Sequence, residues 1–425
     1  MIDHHNLPCT DPPDLVQRRG AGLSQSQWDV IFWAAVLVLT AVSLYSVIVR
    51  NFRPDQFIYL AENLTKGKLS VDDMPLIYPD YAIFKGHVYL PPGPLPAIIL
   101  IPFLNALGKG FRPGWISLLI TLANIFLLFH LLNLFLKERD TLKWLLLLFF
   151  GGCVYFGVSV TMVSWYFAHI VATTCTLLSL LTILKNRNPF LGGLFLGLAA
   201  ACRLSILFAF PALIFIIWNN FLLQKVEEAT IRTKARNTFI FIIGLCLPLL
   251  LLLWYNYARF GTFFETGYGI DVVGSSALEE ARSYGLFSIV HIPRNLYVLL
   301  LEGPLPFPNL QNPIFTFPFL QPSPLGMGIF FTSPALLFAL KAHIKEPIVK
   351  ACWLGIILIL VPLLSHYATG WIQFGFRYSI DFMPFLIVLT GLGIGPKLDD
   401  KARWIILVSV LINLWGTAWL QTWLS

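Results

Sequence analysis

Charge is scarce in this chain. Asp, Glu, Lys and Arg make up 12% of its 425 residues, while 57% are hydrophobic and the mean hydropathy is +0.74. A soluble domain carries about a quarter of its residues charged, so that class is excluded and a polytopic α-helical membrane protein remains. The apolar runs lack the alternation of a membrane β-barrel, which excludes that class too. Cysteine is sparse as well: of Cys9, Cys153, Cys175, Cys202, Cys246 and Cys352, all but Cys9 fall within apolar runs, so no disulfide framework is indicated. No second histidine stands at ligand spacing from His87, so a zinc site is not indicated. Internal repeats and low-complexity tracts are missing. The net charge of +7 does not point to nucleic acid, because Lys and Arg sit in short clusters between apolar runs.

What is present is a series of apolar segments of spanning length. A span needs about 20 apolar residues, with tolerance for tilt. The runs predict eleven transmembrane helices, at 28–49, 114–136, 143–159, 164–184, 189–204, 205–221, 238–257, 323–341, 349–366, 378–395 and 404–423. Residues 1–27 are polar and read as a cytoplasmic segment with no cleavable signal; residues 28–425 read as one transmembrane unit. With the N-terminus inside, the inner connections hold Arg18 and Arg19; Lys137, Arg139 and Lys143; Lys185 and Arg187; Lys225, Arg232, Lys234 and Arg236; Lys341, Lys345 and Lys350; and Lys397, Lys401 and Arg403. That is the positive-inside pattern. It requires the proline-interrupted stretch 94–107 to lie on or dip into the outer interface rather than cross. Two long loops, 51–113 and 258–322, and the C-terminus then fall outside, where the loops can meet over the bundle. Their aromatic content places them at headgroup level, with Ser283–Leu301 as an amphipathic interfacial segment.

Several residues in and beside these loops are able to carry chemistry. Asp55 follows Pro54 just after the first span, either as the cap of an interfacial helix or as a carboxylate held at the lipid boundary as a general base. Asp72 and Asp73 read as a solvated turn; Asp80 is the stronger candidate, because it opens an aromatic-rich run containing Lys85, His87 and Tyr89. Arg203 interrupts an apolar stretch, and either meets a partner or phosphate or marks an outer turn and snorkels. Arg377 leads into a span containing Asp381, four residues on, an i, i+4 spacing that suits a structural pair. Arginine also suits bidentate phosphate binding. Arg259 adds a further cation at the start of the second loop.

The phrases Asp55-Gln56-Phe57-Ile58-Tyr59-Leu60-Ala61, Gly86-His87-Val88-Tyr89-Leu90-Pro91-Pro92-Gly93, Asn256-Tyr257-Ala258-Arg259-Phe260-Gly261 and Gln373-Phe374-Gly375-Phe376-Arg377-Tyr378 stand within this layout. Together they resemble the GT-C superfamily of membrane glycosyltransferases, in particular the protein-mannosyltransferase and aminoarabinose-transferase group. The resemblance covers roughly residues 28–395. It implies transfer of a sugar from a polyprenyl-phosphate carrier to an acceptor hydroxyl of a protein, glycan or lipid, with inversion. The implied catalytic carboxylate is Asp55; Gln56 stands where members of the group often have Glu. Arg203 and Arg377 are the implied phosphate-binding residues, Lys85 is their possible helper, and Asp80, His87, Tyr89 and Arg259 complete the expected substrate site. Some members use a divalent cation; the scattered carboxylates here do not call for one, and no other cofactor is indicated.

Two other classes remain open at this stage. A lipid-linked sugar flippase or transporter predicts ionisable residues deep in the spans and paired broken helices. Only Asp381 and Arg203 meet that description in the sequence. A non-catalytic GT-C scaffold is also compatible with the layout. The compact chain favours a bacterial plasma membrane as its location.

Overall fold

The computed structural model describes residues 23–49, 56–75, 80–108, 111–161, 163–219, 230–270, 276–306, 319–370 and 373–424. Asp55 lies outside the described residues, immediately before the first turn of a helix.

The order of elements is α1 (Gln25–Val49), α2 (Gln56–Thr65), the hairpin β1 (Ala82–Phe84) and β2 (His87–Tyr89), α3 (Leu95–Leu107), α4 (Pro113–Leu132), α5 (Arg139–Gly151), α6 (Tyr155–Val160), α7 (Ser164–Leu184) and α8 (Pro189–Cys202). A 3-10 turn at Leu204–Ala209 leads into α9 (Phe210–Asn219), which is followed by α10 (Ile231–Phe260), α11 (Ser276–Ser283) and α12 (Ile292–Leu300). A small strand pair, β3 (Leu305–Pro306) with β4 (Leu320–Gln321), precedes α13 (Ile329–Thr332) and a 3-10 segment at Pro334–Lys341. The chain closes with α14 (Pro347–Ser365), a 3-10 turn at Arg377–Phe382, α15 (Met383–Ile394) and α16 (Asp400–Leu424).

Seven helices among the described residues are long and apolar enough to cross a membrane. Those segments match expected spans, and the chain is a multi-pass membrane protein. The other four of the eleven expected spans are helical but too short or broken by that criterion. Segment 143–159 divides into α5 and α6 around Gly151-Gly152, 189–204 is the 14-residue α8, 205–221 is a 3-10 turn plus α9, and 323–341 is α13 plus a 3-10 segment begun at Pro334. Gly151-Gly152 and Pro334 interrupt the hydrogen-bond ladder in the first and last of these segments. The segment expected to lie at the interface is α3, with 13 residues and Pro102 within it.

The bundle has two distinct ends. At one end the first turns of α1, α5 and α16 are joined by charge. Lys143 pairs with Asp29 and with Asp140 (2.9 Å), and Arg403 pairs with Asp140 (2.6 Å) and Asp400 (2.7 Å). Trp28 fills the space beneath, edge-on to Trp144 and Trp404. The positive-inside pattern assigns all three helix starts to one side, and they meet. Both long loops gather at the opposite end.

Within the bundle, α8 and α10 run parallel with their backbones almost touching. A β-carbon on Gly193 would fall 1.9 Å from the Phe241 carbonyl oxygen, and one on Gly244 would fall 2.1 Å from that of Phe190. Small residues permit such approach where lipid supplies no hydrophobic drive between helices. Replacing Gly244 by Leu therefore forces the pair apart. We expect a loss of about 1–3 kcal/mol or more, read as a lowered Tm in detergent, whereas Leu251→Ala on the exposed side of α10 changes stability by less than about 0.5 kcal/mol.

Candidate functional site

The first loop is shaped by its turn chemistry. β1 and β2 pair antiparallel with Phe84 opposite His87, leaving Lys85 and Gly86 as a two-residue turn. Both have positive φ, 50° and 80°, the conformation that matches the twist of a tight hairpin. Asp72 staples the hairpin to the loop: its carboxylate accepts from the Val88 N–H (2.8 Å), from His87 Nδ1 (3.0 Å) and from the Ser70 hydroxyl (2.8 Å). Burial pushes the Asp72 carboxyl up, but these hydrogen bonds outweigh it and leave it below its ordinary value. Asp73 accepts from Asn63 Nδ2 at 2.6 Å. The Asp72–Asp73 pair is thus a structural device, not a merely solvated turn.

The loop then presses onto the bundle. A β-carbon at Gly93 would lie 1.8 Å from the Ala201 carbonyl oxygen, so the Pro91-Pro92-Gly93 phrase docks against the last turn of α8. The second loop docks on the first through the end of α10. Arg259 Nη1 donates to the Leu90 carbonyl (2.6 Å) and Nη2 to Asn256 Oδ1 (2.8 Å), with the guanidinium over Tyr255. Phe260 packs edge-on to Phe84 and Tyr89, and Gly267 abuts Pro91 and Ala82. Gly261, at φ 76°, ends α10 in the left-handed conformation that lets the chain turn away. The two loops meet, as the charge pattern led us to expect.

Beneath this seam lies a buried polar cluster. Arg203, in the break between α8 and the following 3-10 turn, donates from Nη2 to Asp381 Oδ2 at 3.1 Å and from Nε to both carboxylate oxygens at 3.3 Å. Asp381 also accepts from Ser205 Oγ (2.5 Å) and from His169 Nδ1 (2.8 Å); Asp381 and His169 are fully buried. Since a carboxylate only accepts, the His169 proton sits on Nδ1. Tyr378 is shared by two cations: Arg203 lies 4.9 Å and Arg377 5.2 Å from its ring centre. Arg377 also faces the rings of Trp165 and Tyr166 on α7.

The phrase Gln373–Tyr378 builds this corner. Gln373 donates to the carbonyls of Leu325 (2.6 Å) and Thr369 (2.9 Å) and accepts from the Arg377 N–H (3.3 Å). Met327 bridges the Phe374 carbonyl and the Phe376 N–H. The expected i, i+4 pairing of Arg377 with Asp381 does not form, because Asp381 is engaged with Arg203, Ser205 and His169. The physical reason is that residues 377–382 form a 3-10 turn, in which i and i+3 eclipse and i+4 is rotated to another face.

Loop residues close over the cluster. Asp80, at φ 61°, enters the hairpin within electrostatic reach of Arg377. Burial raises its carboxyl above the usual value, and Arg377 only partly pulls it back. Tyr268 is presented by a turn in which Glu265 accepts from the N–H groups of Gly267 and Gly269. Burial raises its phenol, with Asp80 adding to the effect. Tyr367 is pushed up to about 12, by burial and then by Asp80.

Of the candidate residues, Asp80, Arg203 and Arg377 come together. Tyr89 and Arg259 form the loop seam, where the terminal nitrogens of Arg259 hold protein groups. Lys85 and His87 sit exposed at the hairpin tip. His169, Ser205, Tyr268, Tyr367 and Tyr378 were not among the site candidates; the available signal was His169, an ionisable side chain within an apolar span. Among the described residues, no group of three or more His, Cys, Asp or Glu side chains is arranged to hold a metal. Arg259→Ala leaves the Leu90 carbonyl without its donor. We expect a loss of about 1–3 kcal/mol and faster proteolytic cleavage within 80–95, measured by Tm and by limited proteolysis.

The helix arrangement is similar to that of a solved membrane-protein structure. ArnT from Cupriavidus metallidurans, an aminoarabinose transferase, superposes with a TM-score of 0.51 at 13% identity over 90% of this chain. The apo oligosaccharyltransferase from Archaeoglobus fulgidus gives 0.49 at 13% identity over 92% of this chain. AglB from the same organism, in complex with an inhibitory peptide and a dolichol-phosphate, gives 0.44 at 14% identity over 93%. The chain spans 62% of the length of ArnT and 56% of each of the other two. At 13% identity the likeness to ArnT is one of fold alone. No family model and no curated protein sequence matches the chain significantly.

Proposed function

We propose that this chain is a glycosyltransferase that moves a sugar from a polyprenyl-phosphate carrier to an acceptor hydroxyl at the outer face of the plasma membrane, with inversion. In this reading the N-terminus and the charged end of the bundle are cytoplasmic, and the loop end and the C-terminus lie outside. The observation that carries it is the pair of guanidiniums, Arg203 and Arg377, set on one tyrosine ring under two docked loops in a GT-C fold.

The chemistry follows from the residue types. The acceptor oxygen attacks the anomeric carbon as the bond to the carrier phosphate breaks, and the acceptor proton passes to a carboxylate. Negative charge grows on the departing phosphate, where Arg377 and Arg203 stabilise it in a water-poor setting. The sealed loops exclude water, the competing nucleophile. Asp55 is the proposed base, by its place in the motif that resembles the superfamily.

Asp80 provides a second reading of the base, favoured by its position beside Arg377. The two make different predictions. Purified protein in nanodiscs is offered a panel of polyprenyl-phosphate sugars. With Asp55 as base, Asp55→Asn lowers kcat by about 10²–10⁴-fold while Tm is kept; unchanged transfer removes Asp55 from that role. With Asp80 as base, Asp80→Asn gives the loss. Because Asp80 titrates above its ordinary value of 3.8, kcat/KM of the wild type then falls as pH drops through that raised value.

A transporter would move lipid-linked sugar across liposomes without transferring it. Transporter sites concentrate near the bilayer midplane between broken helices. The structure adds His169 and three 3-10 breaks to the features expected of that class, but His169 is only the sixth residue of α7, close to the loop end. A scaffold would bind carrier and turn over none of the panel.

A further inference from the structure

Arg203 is held by one edge only. A guanidinium offers two edges to a pair of oxygens: a side edge, formed by Nε and one Nη, and an end edge, formed by both Nη atoms. The side edge of Arg203 is taken up by Asp381, through Nε and Nη2. Nη1 has no hydrogen-bond partner among the described residues, and the side chain keeps 20% exposure while its carboxylate partner has none.

The carboxylate is itself immobilised. Ser205 Oγ grips the oxygen that Arg203 Nη2 contacts, and His169 Nδ1 grips the other. His169 comes from α7, Ser205 from the turn after α8 and Asp381 from the turn before α15, so three parts of the bundle fix one side chain. The Arg203 guanidinium carbon also stands over the Tyr378 ring, 4.9 Å from its centre. Burying an ionised pair in an apolar bundle costs several kcal/mol per ion before the pairing returns it, so mere stability is a poor account of this arrangement.

We infer that Asp381, locked by His169 and Ser205, is a positioning residue for Arg203: by holding the side edge it aims the end edge at the anionic oxygens of the carrier phosphate. The inference rests on the proposed donor class. It adds a requirement that the donor class alone does not carry, namely that the direction of the guanidinium matters as well as its charge. Neutralising Asp381 leaves the Arg203 charge in place, and even less compensated, but frees its orientation. Ground-state attraction for the phosphate is therefore kept while alignment is lost. A displacement of about 1 Å at such a contact costs on the order of 10²-fold in rate.

The test compares wild type, Asp381→Asn, Ser205→Ala, Arg203→Lys and the double variant Asp381→Asn/Arg203→Lys in nanodiscs. Two readouts are used: kcat and KM for polyprenyl-phosphate sugar, and the phosphorus NMR shift of bound polyprenyl phosphate. Asp381→Asn is expected to lower kcat by about 10²-fold with KM unchanged or reduced. Ser205→Ala moves kcat in the same direction by several-fold, and serves should Asp381→Asn fail to fold. The double variant is expected to be no worse than the poorer single one, because both changes act through one edge. The phosphorus shift moves in each variant. A folded Asp381→Asn or Ser205→Ala with wild-type kcat and an unmoved phosphorus shift overturns the inference, as do losses that simply add. If wild type transfers no sugar yet the phosphorus shift responds to the variants, the transferase reading fails and the positioning role stands. If wild type neither binds nor transfers, both fall.

Discussion

A cation inside an apolar bundle has to carry its own counter-charge, and the loop-bearing end of this protein is arranged around that demand. Arg203 stands at a break between helical segments. The chain breaks after Cys202, turns through a 3-10 segment and brings Ser205 onto the same carboxylate. Asp381 reaches it from a second 3-10 turn, and His169 from a regular helix. Unwinding costs backbone hydrogen bonds, which burial in protein makes tolerable where exposure to lipid would not. Two of the irregular stretches, 204–209 and 377–382, therefore lie where charge has to be accommodated.

The loops answer a related constraint. Long connections at a membrane surface remain mobile unless their backbone groups find partners. Here the Leu90 carbonyl takes its donor from Arg259, the Val88 N–H finds Asp72, and two glycines face Glu265. Each anchor is a charged side chain committed to main chain, which fixes position at little cost in apolar area. That economy leaves Asp80 and Tyr268 free to face the cluster beneath.

Much of this was legible in the residues. Apolar runs located the long helices, and clustered Lys and Arg correctly put the starts of α1, α5 and α16 together. Arg203 announced itself by interrupting a hydrophobic stretch. Other features had no such signal. A buried apolar run looks the same whether it winds as α or 3-10, so the turn beside Arg203 was legible but the 3-10 winding at 204–209, 334–341 and 377–382 was not, and neither was the rotation that separates Arg377 from Asp381. Lys85 and His87 looked like site residues because they share a phrase with Tyr89; only the tight turn shows that they point outward at a tip. Asp72 looked like an ordinary solvated acid until its hairpin was folded against it.

The contact between α8 and α10 has a wider meaning. Because Gly193 faces Phe241 and Gly244 faces Phe190, the two helices behave as one plank, with α10 running past the end of α8. Counting along that register, Arg259 stands roughly six residues, or about 9 Å, above the level of Arg203. The headroom between the guanidinium layer and the loop seam is therefore set by a difference in helix length. That separation is built into packed helix rather than into loop, so loop motion cannot lengthen it.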